Sequence, residues 1–314
     1  MKIWLVIILI IAVIIAAGLI RSFYELHHPE ESRYRLASGK IPKGKSLRLV
    51  FLSDLHGRVY NSDLLKLIRK NNPDIILIGG DMLNSSSADK DAAGLECSVH
   101  ISQIAPTYYA LGNHEGLVQF LGGFGKKYDE ERLGRYYSRR LEKYGESEFT
   151  RRWKTIEGTL KENNIIMLDD ETAEHVQGSD INITGLTLPV VCMKKRNPEP
   201  VTAEIIEACI GKIDQNRYNI ILAHSPEFFD QYALTGADLV LSGHLHGGVV
   251  RLPLLGGLIS PKFRLFPEYS FGKFTKDGCT LIVTKGCGTH HVNIRIFNRP
   301  EIAVIDIEGT GSGE

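Results

Sequence analysis

The sequence predicts an α/β fold preceded by an N-terminal transmembrane helix, and three observations support this prediction. An unbroken apolar run covers residues 3 to 20; a strand, a helix and a second strand follow one another between residues 47 and 78; and several later short apolar strands end beside Asp, Asn or His. Strand, helix and strand at this spacing form a βαβ unit, whose strands pair in parallel. Parallel strands bring their carboxyl ends to one edge of the sheet, where a cleft forms. The sequence therefore predicts a cleft lined by polar side chains.

The N-terminal apolar run is long enough to cross a bilayer. Ile3 to Ile20 contains eighteen apolar residues between Lys2 and Arg21, close to the roughly 20 residues that a membrane span requires. A signal peptide is the alternative, although its apolar core is usually only about 7–15 residues long. More Lys and Arg follow the run than precede it, which favours a cytoplasmic location for the rest of the chain. We therefore expect residues 1–21 to be an uncleaved, single-pass membrane anchor.

The overall composition argues against several kinds of binding site. Lys plus Arg and Asp plus Glu number 37 each, so the formal net charge is zero. A balanced charge argues against a broad nucleic-acid-binding surface. The five cysteines have no CxxC spacing, so they indicate neither a disulfide framework nor a thiolate metal site.

Segments of distinct composition predict the domain organisation of the chain. Residues 22–46 are polar and contain Gly39, Pro42 and Gly44, which is typical of a juxtamembrane linker. One domain is expected over residues 47–308, with a flexible Gly-rich tail at 309–314. Residues 116–162 are charged and helix-favouring, and predict a helical insert that either packs on the domain as a solvated hairpin or forms a substrate cap or lipid-headgroup contact.

The domain begins with the βαβ unit and continues with short strands. Leu47 to Leu52 is the first strand, Ser62 can cap the helix that ends near Pro73, and Asp74 to Ile78 is the second strand. Later short apolar segments predict a second, mostly antiparallel sheet. These segments are Ile165 to Leu168, Ile181 to Gly185, Thr280 to Thr284, Val292 to Phe297 and Ile302 to Ile307.

Polar side chains follow five of the predicted strands. A turn explains any one such ending, but it does not readily explain five strands that all end in Asp, Asn or His. Carboxylate, amide and imidazole ligands without thiolates suit Mn, Fe or Zn. Because the candidates are too many for one ion, they predict a pair of divalent metal ions that share a bridging carboxylate. The side chains are Asp54, His56, Asp81, Asn113, His114, His224, His244 and His246.

These residues stand in motifs that resemble a known family. In chain order, the motifs are similar to the five signature blocks of the calcineurin-like metallophosphoesterases, and the resemblance covers residues 47–308. It implies a four-layer αββα sandwich, in which two mixed β-sheets are flanked by helices. The motifs are Asp54-Leu55-His56, Gly80-Asp81, Gly112-Asn113-His114-Glu115, His224 and Gly243-His244-Leu245-His246.

The resemblance also implies a role for each residue. His114 matches the family's catalytic histidine outside the metal shell, which faces the leaving oxygen as a proton donor or stabilises transition-state charge. A hydroxide that bridges the two ions would attack the phosphorus in line. Arg58 and Arg295 are candidates for binding phosphate oxygens of the substrate. For the metals, the resemblance implies that Asp54, His56 and His246 hold one ion, that Asn113, His224 and His244 hold the other, and that Asp81 bridges them.

The expected substrate is a phosphodiester or pyrophosphate, and the N-terminal anchor favours a lipid-linked one. The anchor, together with the pattern from Asn293 to Glu301, is similar to a membrane-associated branch of the family. This branch includes relatives of UDP-2,3-diacylglucosamine hydrolases, which act in lipid A biosynthesis. Two alternatives remain: a general phosphodiesterase or phosphoprotein phosphatase tethered to the membrane, and an inactive metal-binding membrane scaffold. The intact His114 and the full ligand set count against the scaffold.

Overall fold

Two six-stranded β-sheets pack face to face, with helices on their outer faces. The structure, a computed structural model, describes residues 3–60, 62–124, 142, 145–193, 200–248, 250–252, 256–258, 265–289 and 293–311. Within these ranges, the strands and helices confirm the predicted α/β fold with two mixed sheets flanked by helices.

The first sheet has the strand order β1-β14-β2-β3-β4-β5. Strand β14 runs antiparallel to β2, whereas every other pair in this sheet is parallel. The strands are β1 (Glu30–Pro42), β2 (Ser46–Leu52), β3 (Ile75–Ile78), β4 (Thr107–Ala110), β5 (Ile165–Leu168) and β14 (Glu301–Gly311).

The second sheet has the strand order β12-β13-β9-β8-β7-β6. Its central pairs are parallel and its two outer pairs are antiparallel. The strands are β6 (Thr172–Ala173), β7 (Ile181–Leu186), β8 (Tyr218–Ala223), β9 (Leu239–Ser242), β12 (Gly272–Lys276) and β13 (Cys279–Val283), and a separate small ribbon pairs β10 (Arg251–Leu252) with β11 (Gly256–Gly257).

The core consists of one layer between the sheets and further layers beneath the helices. Along β2, Leu49 and Phe51 face the other sheet, whereas Val50 and Leu52 pack in the cluster that includes helical residues. Alternation of this kind is expected for a strand that is buried on both faces. The described helices are α1 (Ile3–His27), α2 (Ser62–Lys70), α3 (Ala88–Ser102), α4 (Asn113–Gln119), α5 (Glu146–Glu162), α6 (Ala203–Ile210) and α7 (Phe229–Ala233).

The prediction of a second, mostly antiparallel sheet is wrong. Ile165–Leu168 and Ile302–Ile307 belong to the first sheet, and three of the five pairs in the second sheet are parallel. The helices α6 and α7 connect β7 to β8 and β8 to β9, and crossovers of this kind pair strands in parallel. Of the predicted strand Val292 to Phe297, the described part forms a single bridge, between Val250 and Ile296.

The predicted helical insert contributes a helix to the fold itself. Helix α5 connects β4 to β5 and buries Phe149, Trp153, Ile156 and Leu160 in the core. It is therefore one of the covering helices of the sandwich. Residues 125–141, 143 and 144 of the predicted insert, which contain most of its basic side chains, lie outside the described residues.

The segment predicted as a juxtamembrane linker forms regular structure. Helix α1 continues to His27, and β1 begins at Glu30 and pairs in parallel with β14 at the edge of the first sheet. Leu36 and Ile41 of β1 are buried in the layer between the sheets. Among the described residues, α1 is the one helix long and apolar enough to cross a membrane.

We expect a chain that starts at Leu47 to be less stable than one that starts at Pro29. The shorter chain lacks β1, so it loses the burial of Leu36 and Ile41, which is worth about 1.5–3 kcal/mol per side chain. It also leaves β14 as an unpaired edge, which promotes aggregation. Urea denaturation of the two chains measures the difference. Equal midpoints with equal solubility would mean that β1 is dispensable for the fold.

Candidate metal centre

The eight polar side chains predicted from the sequence converge at one edge of the sandwich. Each follows a parallel strand, at the end where clefts form in α/β proteins. Residues from the first sheet lie opposite residues from the second, although the two sets are far apart in the chain. Asp54 and His56 follow β2, Asp81 follows β3, Asn113 and His114 begin α4 after β4, His224 follows β8, and His244 and His246 follow β9.

Five of these residues have a left-handed backbone conformation. Asp54, His56, Asp81, His244 and His246 have φ angles between 51° and 69°. Asp, Asn and His adopt this region more often than other residues with a side chain, yet it still costs about 1–3 kcal/mol at each position. The chain thus turns sharply after β2, β3 and β9. These turns accompany the convergence of the polar side chains on one cleft.

Two glycines allow the loops to approach the carboxylates. A Cβ atom on Gly243 would lie 2.1 Å from Oδ2 of Asp54, and one on Gly112 would lie 2.2 Å from Oδ1 of Asp81. Both separations are too short for any side chain. In their place, the backbone N–H of His244 donates to Asp54 at 3.0 Å, and that of His114 donates to Asp81 at 2.8 Å. These bonds fix the orientation of both carboxylates.

A first cluster consists of Asp54, His56 and His246. The Nε2 atoms of the two histidines are 2.9 Å apart, and Oδ1 of Asp54 lies 3.6 Å from Nε2 of His246 and 3.8 Å from Nε2 of His56. Ligand atoms about 2.1 Å from one ion are themselves about 3.0–3.4 Å apart. The observed spacing is close to this value, so the cluster suits a divalent metal ion.

A second cluster consists of Asp81, His224 and His244. Oδ2 of Asp81 lies 3.1 Å from Nε2 of His224 and 4.0 Å from Nε2 of His56 in the first cluster. Asp81 is therefore within reach of both clusters. Oδ1 of Asn113 is buried and has no hydrogen-bond partner in the described part of the chain. A buried amide oxygen without a partner is costly unless a cation or water satisfies it.

The pKa values of three groups in the cleft differ from those of the same groups in water. Burial alone would raise the pKa of Asp81, but the imidazoles of His224, His114 and His56 lower it well below its ordinary value. Burial would lower the pKa of His224, but Asp81 raises it to about 10. Burial lowers the pKa of His246 to about 4. A cation that binds His224 at neutral pH must therefore displace a proton from it.

Hydrogen bonds outside the clusters orient their members. The Nδ1–H of His224 donates to the carbonyl of Gly79 at 2.7 Å, which directs Nε2 toward Asp81. Glu115 accepts the backbone N–H groups of Asp81 at 2.9 Å and Gly112 at 3.1 Å. Burial raises the pKa of Glu115 to about 7. Glu115 thus ties together the loops that carry Asp81 and Asn113.

His114 lies at the rim of the cleft with its tautomer fixed. Its Nδ1 accepts the backbone N–H of Ser85 at 3.0 Å, so the proton of the neutral imidazole resides on Nε2. The ring lies edge-on to that of His56, with 4.9 Å between the centroids. His114 can therefore donate a proton to a group bound beside the clusters.

The two arginines predicted to bind phosphate are placed differently. Arg58 is partly buried, and its Nε donates to the carbonyl of Thr289 at 3.4 Å. Arg295 is 1% exposed, and its guanidinium donates to carbonyl groups that include those of Gly286 at 3.0 Å and Asn298 at 3.0 Å. A guanidinium that is buried among carbonyl groups is a structural element. The position of Arg295 therefore does not fit the predicted contact with a substrate phosphate.

The sequence analysis did not predict a role for two residues near the clusters. The side-chain amide of Asn298 donates to the carbonyl of His246 at 2.7 Å. Glu25, at the end of α1, is completely buried and accepts the backbone N–H of Asn298 at 2.7 Å. The only signal in the sequence was a single carboxylate soon after a long apolar run, which had no predicted partner.

Comparisons with known proteins agree with the geometry. Residues 47–248 match the family described as calcineurin-like phosphoesterase. The chain is 26% identical to an uncharacterised metallophosphoesterase of Aquifex aeolicus over 93% of this chain and 96% of that one. It is 26% identical to the protein YpbG of Bacillus subtilis over 85% and 83% of the two chains. It is 24% identical to the phosphodiesterase YaeI of Escherichia coli over 88% and 87%.

A weaker likeness relates the chain to a solved structure. A 5′-nucleotidase precursor of Thermus thermophilus superposes with a TM-score of 0.41 and 15% identity, over 78% of this chain and 50% of that one.

Proposed function

Because the chain belongs to the calcineurin-like phosphoesterase family, we propose that it is a membrane-anchored hydrolase of phosphodiester or pyrophosphate bonds that uses two divalent metal ions. The observation that carries the proposal is the position of Asp81 within reach of two clusters of imidazole and carboxylate ligands. Mn, Fe and Zn all suit these donors.

Most of the residues in the cleft have a proposed role in metal binding, and His114 has a proposed role in proton transfer. Asp54, His56 and His246 would hold one ion, His224, His244 and Asn113 would hold the other, and Asp81 would contribute to both. When bound, the ions polarise the phosphoryl oxygens and lower the pKa of water. The fixed tautomer of His114 presents its Nε2–H to the leaving oxygen, to which it donates a proton. Tyr109 donates to Glu115 at 2.7 Å, and Glu115 in turn orients the loop of Asp81.

We expect His114→Ala to lower turnover by about 10²–10⁴-fold, the usual contribution of general acid catalysis. The metal content should stay close to that of the unmodified protein, because neither of the two clusters loses a proposed ligand. The measurement is hydrolysis by the Mn-loaded protein of a phosphodiester with an alkyl leaving group, which needs a proton in order to depart, with metal analysis of the same sample. His175→Ala, which changes an exposed histidine outside the cleft, is the control.

The unmodified protein in this assay tests the proposed function itself. Turnover that requires added metal and disappears with a chelator supports the enzyme. A folded protein that holds metal but shows no turnover with bis-p-nitrophenyl phosphate or a pyrophosphate diester would instead support the inactive scaffold.

The proposed substrates are lipid-linked phosphodiesters or pyrophosphates, of which UDP-2,3-diacylglucosamine is one example. The support is α1, which is long and apolar enough to cross a bilayer and would keep the cleft near amphiphilic substrates. The excess of Lys and Arg after the apolar run favours the cytoplasmic side. Turnover of UDP-2,3-diacylglucosamine should exceed that of a water-soluble diester. Equal rates would favour a general tethered phosphodiesterase. This alternative is supported by the similarity of the chain to YaeI, which is named a phosphodiesterase.

A further inference from the structure

We propose, on the premise that α1 crosses a bilayer as proposed above, that the protein has a second membrane-contact surface beside this helix. We call it the interfacial patch and define it as Val250, Leu258, Leu265, Phe266, Ile296 and Phe297. Its partner is the boundary between headgroups and acyl chains of the bilayer that α1 crosses.

The C-terminal end of α1 determines how deep the patch lies in the bilayer. Trp4 and Tyr24 are exposed aromatic residues near the two ends of α1, and twenty residues of helix span about 30 Å, the thickness of the hydrocarbon core. Ile296 approaches α1 at Gly18, where an added Cβ atom would lie 3.7 Å from its Cδ1 atom. Gly18 is two residues before the end of the apolar run, about 3 Å along the axis. Ile296 therefore lies at the level of the membrane boundary.

Hydrogen bonds hold the loop of residues 295–298 against α1. The backbone N–H of Arg295 donates to Oγ of Ser22 at 3.0 Å, and the backbone N–H of Phe297 donates to Glu25 at 3.0 Å. The second oxygen of Glu25 accepts the N–H of Asn298 at 2.7 Å. Because these bonds tie the loop to α1, insertion of the helix brings the loop to the bilayer.

Backbone contacts extend the surface from Ile296 to Phe266. Ile296 forms a parallel bridge with Val250, the N–H of Leu258 donates to Val250 at 2.8 Å, and the N–H of Phe266 donates to Leu258 at 3.0 Å. Each step between paired backbones is about 4.8 Å, so the patch is continuous over roughly 15 Å.

Three side chains of the patch are exposed in a way that a water-facing surface does not favour. Leu265, Phe266 and Phe297 are 65%, 53% and 51% exposed, and they are three of the seven large exposed apolar residues described outside α1. Phe266 and Phe297 also have φ angles of 48° and 53°, which are unfavourable for bulky residues. Such strain persists where surrounding structure holds it, often at functional surfaces.

The bilayer fits this surface better than a second copy of the chain does. The patch continues directly into α1, whose apolar window contains no residue buried by the described part of the chain. The guanidinium of Arg21 lies 4.6 Å from the centre of the Phe297 ring. A cation beside an exposed aromatic ring suits the boundary region, where anionic headgroups lie above acyl chains.

The patch also sets the position of the cleft. Asn298 follows Phe297 directly and donates to the carbonyl of His246 in the first cluster. The cleft is thus held close to the headgroup region. It would accept a phosphoester presented at the membrane surface without drawing the lipid into water.

Tryptophan fluorescence in the full-length chain tests the patch. The chain is reconstituted into vesicles of phosphatidylcholine and phosphatidylglycerol, with bromine on the upper part of the acyl chains. In a W4F background, Trp153 is buried and gives a constant signal. Because interfacial groups lie about 5–10 Å into the headgroup and acyl boundary, F266W and F297W should each lose roughly half of their added emission to the bromines. L234W, at an exposed apolar position after α7, should lose almost none.

Each outcome bears on the patch separately from catalysis. Quenching of Trp4 in the unmodified chain establishes that α1 is inserted, and metal-dependent turnover does not enter the measurement. If Trp4 is quenched and F266W and F297W behave like L234W, the interfacial patch does not exist. Emission that changes with protein density and not with bromination would mean that a second copy covers the surface, which also overturns the proposal.

Discussion

Replacing Asp81 with alanine is expected to weaken or abolish metal binding at both proposed sites and to lower turnover by at least about 10³-fold. Asp81 is buried, and one of its oxygens lies within 4.0 Å of histidines in both clusters. Asp54 also approaches His224, but at 3.8 Å against 3.1 Å for Asp81, so Asp81 is the better placed bridge. The variant removes one of the two carboxylates in the clusters and leaves only Asp54 to offset the charge of two cations. Metal analysis after dialysis, with turnover of bis-p-nitrophenyl phosphate, measures both effects.

Two further variants distinguish the effect of the negative charge of Asp81 from the general effect of changing a buried carboxylate. Asp81→Asn keeps the acceptor for the backbone N–H of His114 and removes the charge, so it should retain the fold and still bind metal weakly. Asp91→Asn changes a buried carboxylate that pairs with Arg152 outside the clusters. It should lower stability and leave the metal content unchanged. Two tightly held ions in folded Asp81→Ala would contradict the bridging position of Asp81.

The sequence predicted the convergence of the cleft because strand ends are local features. Asp54, Asp81 and His224 each lie within three residues of the end of a short apolar run, and parallel strands place such positions at one edge. The left-handed turns that carry Asp54 and Asp81 were not predictable, since few local signals identify a residue other than glycine in that conformation.

The division of strands between the sheets depended on contacts between distant parts of the chain. Ile302 to Ile307 has a clear strand pattern, but nothing in that pattern indicates that it inserts between β1 and β2. β1 itself was missed because only Leu36 and Ile41 of its thirteen residues are buried. An edge strand with so little apolar alternation resembles a polar linker. The same region contains Glu25, whose partners lie about 270 residues away.

Replacing Glu25 with alanine is expected to weaken metal binding at the first cluster by about 10–100-fold, as is typical when a residue that positions a metal ligand is lost. The carboxylate accepts the N–H groups of Phe297 and Asn298 and pairs with Arg21 at 2.5 Å. Asn298 in turn donates to the carbonyl of His246. Without Glu25, the N–H groups of Phe297 and Asn298 lose their acceptor. The loss costs about 1–3 kcal/mol for the buried N–H of Asn298, and the His246 loop loses its support.

Titration of the Glu25→Ala protein with Co²⁺ or Mn²⁺ separates positioning from mere stability. The first cluster should lose affinity and the second should keep it, because Gly79 orients the ring of His224 and Asp54 accepts the backbone N–H of His244. Asn298→Ala should reproduce the loss while the contacts of α1 with Phe297 remain. Phe23→Ala, an exposed position on the same turn of α1, should leave both sites intact. If Glu25→Ala lowers the unfolding midpoint yet binds metal with unchanged affinity, then α1 stabilises the domain without positioning His246, and the candidate metal centre is independent of α1.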